Sequence, residues 1–404
     1  MSAVLSLPPA KRSRVALGLA RAAAVGRFEL QTCLNCGKVQ YPPREACSRC
    51  LSDQLDWRVQ SDSGELLACT KLFHSNEPYF TQRLPWPVGL VRLDCGPSVV
   101  AHLRGSLNSP GTRVRVSLGL DRAGGAVLVS VPSAEVSDMA DDDQMREWSC
   151  DPGLRKVLVT DGYSQTGIAL IAALVAAGAK TVWAGGATGR EDELELGEPP
   201  LSIAQRATGP SPNVVPLDLD LENDASIAAA AASIGGDVDI LIHNAQRRVG
   251  DAVDVSSFES AQLDMDVHYF ALMRLAREFG ARMRERNAAG KLDAVAWVNL
   301  LCIHALIGSP EHSGFAAAQA AAHSLSQSLR ATMRAAGIRV VNVFAGPLER
   351  GAPELADAVV AALRRGVEDV YPGDVAASLF ARWRENPDGL ERELAAATHP
   401  VAMR

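Results

Sequence analysis

The sequence predicts a multidomain chain: a small zinc ribbon joined to a β-barrel of the OB type, then an α/β, Rossmann-type, doubly wound parallel sheet. Three observations carry this expectation. Two CxxC pairs, Cys33-Leu34-Asn35-Cys36 and Cys47-Ser48-Arg49-Cys50, stand ten residues apart near the N-terminus. Short alternating apolar runs with Gly, Pro or Asp-Arg turns between them fill the stretch up to about residue 132. Buried-type strands then alternate with helical segments from residue 155 onward. With 404 residues the chain is long for one core, so more than one domain is expected.

Four cysteines in two CxxC turns can surround one Zn²⁺ tetrahedrally, so Cys33, Cys36, Cys47 and Cys50 are the expected metal ligands. With four protein ligands no position stays open for water or substrate, which makes the zinc structural. Gly37 suits the tight turn after the first pair. The other cysteines, Cys69, Cys95, Cys150 and Cys302, are scattered, a pattern that suits a reducing cytosol. A net charge of −7 speaks against a dedicated nucleic-acid binder. The absence of an 18-residue apolar run speaks against a membrane span. The start of the chain has Lys11, Arg12 and Arg14, but the alanine-rich stretch after them is broken by Arg21 and does not read as a signal peptide. The expected location is the cytoplasm.

Residues 1–25 read as a loose tail and a helix from Arg14 to about Val25, stopped by Gly26. Phe28, Leu30 and Thr32 lead as a strand into the first knuckle, and the ribbon is expected over 26–56, with Tyr41-Pro42-Pro43-Arg44 at its tip. Trp57-Arg58-Val59 opens a different kind of segment, the OB-type domain of 57–135. Its strands are expected at Glu65–Phe73, Val88–Leu93, Ser98–Leu103, Arg113–Leu118 and Ala126–Val131. Such barrels can bind single-stranded nucleic acid through aromatic and basic side chains. Phe73, Tyr79, Phe80 and Trp86 with Arg83, Arg92, Arg104, Arg113 and Arg115 are the candidates, although packing and solvation account for the same residues. Residues 136–154 form an acidic linker with Asp138, Asp141, Asp142, Asp143 and Glu147, anchored at its end by Trp148 and Cys150.

The leading helix, Phe28–Cys33, Tyr41-Pro42-Pro43-Arg44, Cys47–Cys50, Trp57, the Gly64-led strand and Leu84–Leu93 together resemble the DUF35 family, over roughly residues 15–132. Members of that family join a rubredoxin-like zinc ribbon to an OB fold and partner thiolase-fold enzymes: thiolases, acyltransferases and retro-aldolases. The resemblance implies docking on such an enzyme and help in holding a coenzyme A thioester at the interface.

In the region 155–404, strands are expected at Lys156–Thr160, Thr181–Ala184, Asn213–Leu217, Val238–Ile242, Ala294–Leu301 and Arg339–Phe344. Helices are expected at Thr166–Ala177, within Ser257–Asn287, and at Ser313–Ala336, Pro353–Gly366 and Val375–Arg384. Thr160, Gly178-Ala179, Asn244-Ala245, Gly308-Ser309-Pro310 and Val341-Asn342-Val343 fall where the short-chain dehydrogenase/reductase family has its marks, and this part resembles that family over 155–350. The departures matter more. The family's phosphate turn has three glycines; here Asp161, Gln165 and Gly167 stand at those points, and Gly185 stands where an acid would hold the ribose. Asp218, which would face adenine, is kept. The family's serine, tyrosine and lysine correspond to Cys302, Phe315 and Gln319, its supporting asparagine to His268, and its last Pro-Gly is reversed as Gly346-Pro347. Phenylalanine has no proton to exchange with substrate and glutamine no charge, so no catalytic residue and no NAD(P)-binding residue is assigned.

A replacement set of Cys302, His304, His312 and His268 is conceivable as a nucleophile–base pair, or more remotely as a second zinc site. The alanine-rich helix Phe315–Ala335 is the candidate seam for a homodimer or a heterodimer. These readings converge on an accessory zinc subunit of a thiolase-fold complex acting on acyl-CoA, with a pseudoenzyme half. The alternatives are an active NAD(P)-dependent 3-hydroxyacyl-CoA oxidoreductase and a single-stranded nucleic-acid-binding OB protein.

Overall fold

The computed structural model of the chain describes residues 7–9, 13–104, 106–133, 146–187, 213–245, 258–291, 293–346 and 353–398. Lys11, Arg12, Asp138, Asp141, Asp142, Asp143, Ser257 and Pro347, all named above, lie outside them. The chain divides into two compact units. One runs to Asp151 and includes the segment Arg364–Glu368; the other comprises Pro152–Leu363 and the chain from Asp369.

The first unit begins with helix α1 (Leu17–Ala24). Strands β1 (Glu29–Cys33), β2 (Val39–Gln40) and β3 (Leu55–Val59) form an antiparallel sheet in the order β2-β1-β3. Strand β3 runs across the expected start of the barrel domain at Trp57 and pairs along the full length of β1, Gln31 opposite Trp57. Strands β4 (Ser63–Leu72), β5 (Trp86–Leu93), β6 (Ser98–Leu103), β7 (Arg113–Leu120) and β8 (Ala126–Pro132) close into a barrel in the order β4-β5-β6-β8-β7. The β6–β8 pair is the parallel one. Strict alternation of buried and exposed residues along β6 and β7 is what a closed barrel with a filled interior requires.

Helix, ribbon and barrel share one core. Leu19, Ala22 and Ala23 of α1 and Leu30 of β1 pack with Leu66, Val91, Leu103 and Val116 of the barrel. A ribbon of this size buries too little apolar surface to stand alone, and the shared core supplies the rest. Gly18 permits the close approach of α1, since a Cβ there would collide with the Trp57 indole.

The second unit holds a seven-stranded sheet, parallel in every pairing, in the order β11-β10-β9-β12-β13-β14-β15. Its strands are β9 (Lys156–Val159), β10 (Thr181–Gly186), β11 (Val214–Asp218), β12 (Ile240–His243), β13 (Ala296–Cys302), β14 (Arg339–Ala345) and β15 (Asp369–Val370). The strand order reverses between β9 and β12, which places the switch point of a doubly wound sheet there. Helices α3 (Gln165–Ala176), α4 (Asp224–Ile234), α5 (Phe258–Met265), α6 (Ala271–Ala288), α7 (Ser313–Arg334), α8 (Pro353–Arg365), α9 (Gly373–Glu385) and α10 (Pro387–Thr398) make the connections and the C-terminal end, α2 being the short helix Pro78–Thr81 of the first unit. Among the described residues of this unit, β15, α10 and α4 were not expected from the sequence. The start of α4 is set by Asn223, whose side chain accepts from the Ala225 and Ser226 N–H groups. The helices expected within Ser257–Asn287 are α5 and α6, joined by a π-turn at Asp266–Phe270.

Candidate functional site

In the ribbon, each CxxC forms a turn that returns its chain. The Gly37 N–H donates to the Cys33 carbonyl at 2.9 Å and the Leu51 N–H to the Cys47 carbonyl at 3.0 Å. The two turns bring Cys33 and Cys50 sulfurs to 3.6 Å, Cys36 and Cys47 sulfurs to 3.6 Å, and all four within 4.8 Å of one another. A zinc tetrahedron with bonds of about 2.3 Å has sulfurs about 3.8 Å apart, so the four fit the ion. Among the described residues this is the group of three or more metal-ligating side chains that gathers in such a way.

Electrostatics favour a cation. The Arg49 and Cys50 N–H groups push the Cys47 thiol down to about 6, and the Ser52 N–H lowers that of Cys50. The Lys38 N–H lowers Cys36 too, but burial and the crowding of the other sulfurs outweigh it and push this thiol up to about 11. Four thiolates this close repel, and a dication removes the conflict.

Sequence reasoning missed the polar staple behind the knuckles. Gln31, on the central strand, accepts from the Arg44 N–H at 2.8 Å and donates to the Arg44 carbonyl at 3.1 Å. Gln40 donates to Gln31 Oε1 at 3.1 Å and accepts from the Ser48 N–H at 3.0 Å. Two buried glutamines thus hold the loop that delivers Cys47. Also missed was Leu51, at φ 59° in the second knuckle, where the first has Gly37 at φ 71°.

On the barrel, Tyr79 and Trp86 are buried and Phe80 packs against them, with Trp148 seated on the same cluster as expected of an anchor. The Trp86 indole donates to His102 Nδ1 at 2.8 Å, and burial pushes His102 down to about 4. Arg92 pairs with Glu65 at 2.8 Å, Arg115 with Asp62 at 2.8 Å, and Arg113 with Asp94. Arg83 lies over the Tyr79 ring at 4.1 Å. Phe73 is 75% exposed. Tyr79, Phe80, Trp86, Arg83, Arg92, Arg113 and Arg115 thus have packing or ion-pair partners within the chain.

The switch-point crevice keeps its framework. Asn244, at the end of β12, donates to the Asp161 carbonyl at 2.9 Å and to Ser164 Oγ at 3.0 Å. Its backbone N–H donates to Thr160 Oγ1 at 3.0 Å. Ser164 caps α3 by accepting from the Gly167 N–H at 3.1 Å. Gly167 is required, because a Cβ there would collide with the Asp161 carbonyl oxygen. The Asp161 side chain is half-buried; burial pushes its carboxyl up to about 6, against opposing hydrogen bonds from Ser164. At Gly185 a Cβ would come within 2.8 Å of Leu219 Cδ2 and 2.9 Å of the Thr160 carbonyl oxygen.

The positions expected to correspond to the short-chain family's catalytic residues are filled by packed side chains. Gln319 is buried and its Oε1 accepts from the Cys302 N–H at 2.8 Å. Phe315 is 2% exposed and meets the His268 ring edge-on, centroids 5.1 Å apart. Cys302 ends β13, but His304 sits in a 3₁₀ turn with Nδ1 at 3.2 Å from the Ile307 carbonyl, so the expected shared strand face does not form. No second zinc cluster forms from Cys302, His304, His312 and His268 among the described residues. His243 was not anticipated: it is buried, neither ring nitrogen has a hydrogen-bond partner, and burial with His268 nearby pushes it down to about 3.

Comparison with known proteins agrees with this division. Residues 20–56 match the family described as ChsH2, rubredoxin-like zinc ribbon domain, and residues 57–118 the family described as ChsH2, C-terminal OB-fold domain. Residues 155–354 match short chain dehydrogenase. Estradiol 17-beta-dehydrogenase 1 of Rattus norvegicus is 29% identical over 149 residues, 36% of this chain and 42% of its own length. The chain thus spans about two fifths of that relative. A probable galactose dehydrogenase of Rhizobium meliloti (strain 1021) is 27% identical over 54% of this chain and 76% of its own. A solved short chain dehydrogenase from Burkholderia cenocepacia J2315 in complex with NADP superposes with a TM-score of 0.51 at 26% identity, covering 60% of this chain and 98% of that one.

Proposed function

We propose that this chain, with ChsH2-type zinc-ribbon and OB-fold domains ahead of a short-chain dehydrogenase domain, is an accessory subunit of a thiolase-fold enzyme complex acting on acyl-CoA thioesters. Zn²⁺ held by Cys33, Cys36, Cys47 and Cys50 shapes the ribbon, and the first unit docks on the thiolase-fold partner in the cytoplasm. The dehydrogenase-type unit serves as a pseudoenzyme for oligomerisation or docking. Helix α7 is its proposed seam. Ala317, Ala320, Ser324, Ser328, Ala331 and Ala335 are small and exposed along one side, which allows a second helix to approach closely.

One observation carries the pseudoenzyme reading: the side chain at the tyrosine position is a buried phenylalanine, and that at the lysine position is a glutamine bonded to the backbone of Cys302. Neither can pass a proton at neutral pH. The crevice residues also do not fit a dinucleotide, since a carboxylate stands in the phosphate turn and Gly185 leaves no room for a ribose-binding acid. Co-expression with the thiolase-like enzyme of the same host tests the partner: the two should co-purify at fixed stoichiometry, and a chain that stays alone sinks the proposal.

The second reading, an NAD(P)-dependent 3-hydroxyacyl-CoA oxidoreductase, draws on the likeness to a dehydrogenase solved with NADP. Titration with NADH and NADPH separates the two: saturable micromolar binding with turnover would favour the oxidoreductase. A single-stranded nucleic-acid role is disfavoured by the ion pairs of Arg92, Arg113 and Arg115.

A further inference from the structure

We infer that the adenosine end of the crevice is closed by the chain's own Tyr163, which rests on Gly186 as an internal plug. The inference deepens the pseudoenzyme reading above and rests on it. In a doubly wound sheet, a nucleotide lies outside the carboxyl ends of the strands, with its pyrophosphate at the first helix N-terminus and its ribose at the end of the second strand. Here those places are the N-terminus of α3 and Gly185-Gly186.

The two glycines are confined by different neighbours. Gly185 is packed from beneath by Leu219 and the Thr160 carbonyl. At Gly186 a Cβ would collide with ring carbons Cδ2 and Cε2 of Tyr163. The tyrosine ring therefore lies directly over the backbone of residue 186, in the space a ribose needs. Gly186 stands opposite Asp218 in the β10–β11 register. Because the ring lies over Gly186 and Gly186 stands opposite Asp218, the tyrosine spans from the α3 turn onto β10; burial and then the Asp218 carboxylate raise its hydroxyl. A glycine that admits the ring and an aromatic that fills the space left by that glycine form a matched pair. The missing phosphate-turn glycines are thus only half of what closes the crevice.

Adenosine is the probe that isolates the plug, because it carries no phosphate for Asp161 to repel. Isothermal titration or ligand-observed NMR should show adenosine binding at least tenfold tighter to Tyr163→Ser than to the native chain. Equal affinities would overturn the plug. Gly186→Ala supplies an independent measurement: it should lower the melting temperature by about 3 °C or more in the native background, since the ring must leave, and by much less in Tyr163→Ser. An unchanged melting temperature for Gly186→Ala in the native chain would overturn the plug even where Tyr163→Ser does not fold. NADPH binding with turnover by the native chain sinks the pseudoenzyme reading, whereas equal adenosine affinities sink the plug alone.

Discussion

The ribbon and the switch-point crevice are both framed by hydrogen-bonded turns, and they differ in the side chains that stand at those turns. In the ribbon, turns, backbone donors and ligand side chains are all present, and four sulfurs converge within 4.8 Å. In the crevice, the turn, the Ser164 cap and the Asn244 staple are present, Asp161 and Tyr163 stand in the turn, and Phe315 and Gln319 are buried. Asn244 does in the crevice what Gln31 and Gln40 do in the ribbon: it satisfies backbone groups and fixes a loop. Such groups answer to the folding requirement that buried polar atoms be paired. Ligand-facing heads answer to chemistry alone, so they can be replaced while the sheet stays intact.

The contrast breaks most visibly at Cys47. Cys47→Ser removes one of four ligands, and the bound zinc should fall from about one to near zero per chain by elemental analysis. Structural zinc in small fingers is worth about 10–16 kcal/mol of apparent binding free energy, so this is the largest effect expected. Because Leu30 of the ribbon belongs to the barrel core, the loss should spread to the barrel's near-ultraviolet dichroism. A variant with full zinc and an unchanged melting curve would mean that the sulfurs are not a metal centre.

The matching change in the crevice is Gln319→Lys, which introduces the charge that the resemblance to short-chain dehydrogenases expects at this position. The amide now accepts the Cys302 N–H in a closed interior. A lysine accepts nothing and must bury a charge or give up its proton, so the unit should lose about 2–4 kcal/mol in denaturant unfolding. Adding Phe315→Tyr should not restore hydride transfer. Unchanged stability would show that the position is permissive and that the glutamine is no latch.

Acid titration sharpens the contrast at Asp161. Its folded carboxyl is raised from 3.8 to about 6, so the native state favours the protonated form. The stability this contributes is fully present below pH 3.8 and is lost as pH rises through about 6. The side chain keeps some solvent contact, which reduces the effect to about 1–2 kcal/mol. Asp161→Asn should flatten that part of the stability–pH curve relative to the native chain. Identical curves would indicate a solvated carboxylate.

Much of this was legible in the residues. CxxC spacing exposes a ligand set because both its identity and its periodicity are chemical, and the four cysteines do converge. The barrel strands were legible from two-residue alternation, and the sheet from apolar runs between helices. What escaped was set by tertiary context. Nothing local in Gln31 or Gln40 says that their amides will meet a loop 13 and 8 residues away. Trp57 opens the stretch matched to the OB-fold family, yet sequence order hides that its strand β3 pairs back onto β1. The double glycine 185-186 read as an absent acid, and only the packed Tyr163 ring shows what the second glycine admits. Asn223 was a legible cap, and the helix after it could have been found.

The smallest effect compares the two knuckles with each other. They share a hydrogen-bonding pattern, yet one closes on Gly37 and the other on Leu51, both left-handed. For a residue with a Cβ that conformation costs about 1–2 kcal/mol, and glycine's greater freedom in the unfolded chain returns about 0.5–1 of it. Leu51 is 81% exposed, so its side chain contributes little burial in exchange. Leu51→Gly should therefore raise stability by about 0.5 kcal/mol and slow zinc loss to a competing chelator slightly, while Gly37→Leu should do the reverse. If Leu51→Gly instead weakens the isolated chain, the leucine must hold a contact within the fold that offsets its strain. If it is neutral or stabilising alone but lowers recovery of a thiolase-fold partner, the exposed leucine is kept for the interface, and the strain of the second knuckle is a consequence of binding chemistry outside the chain.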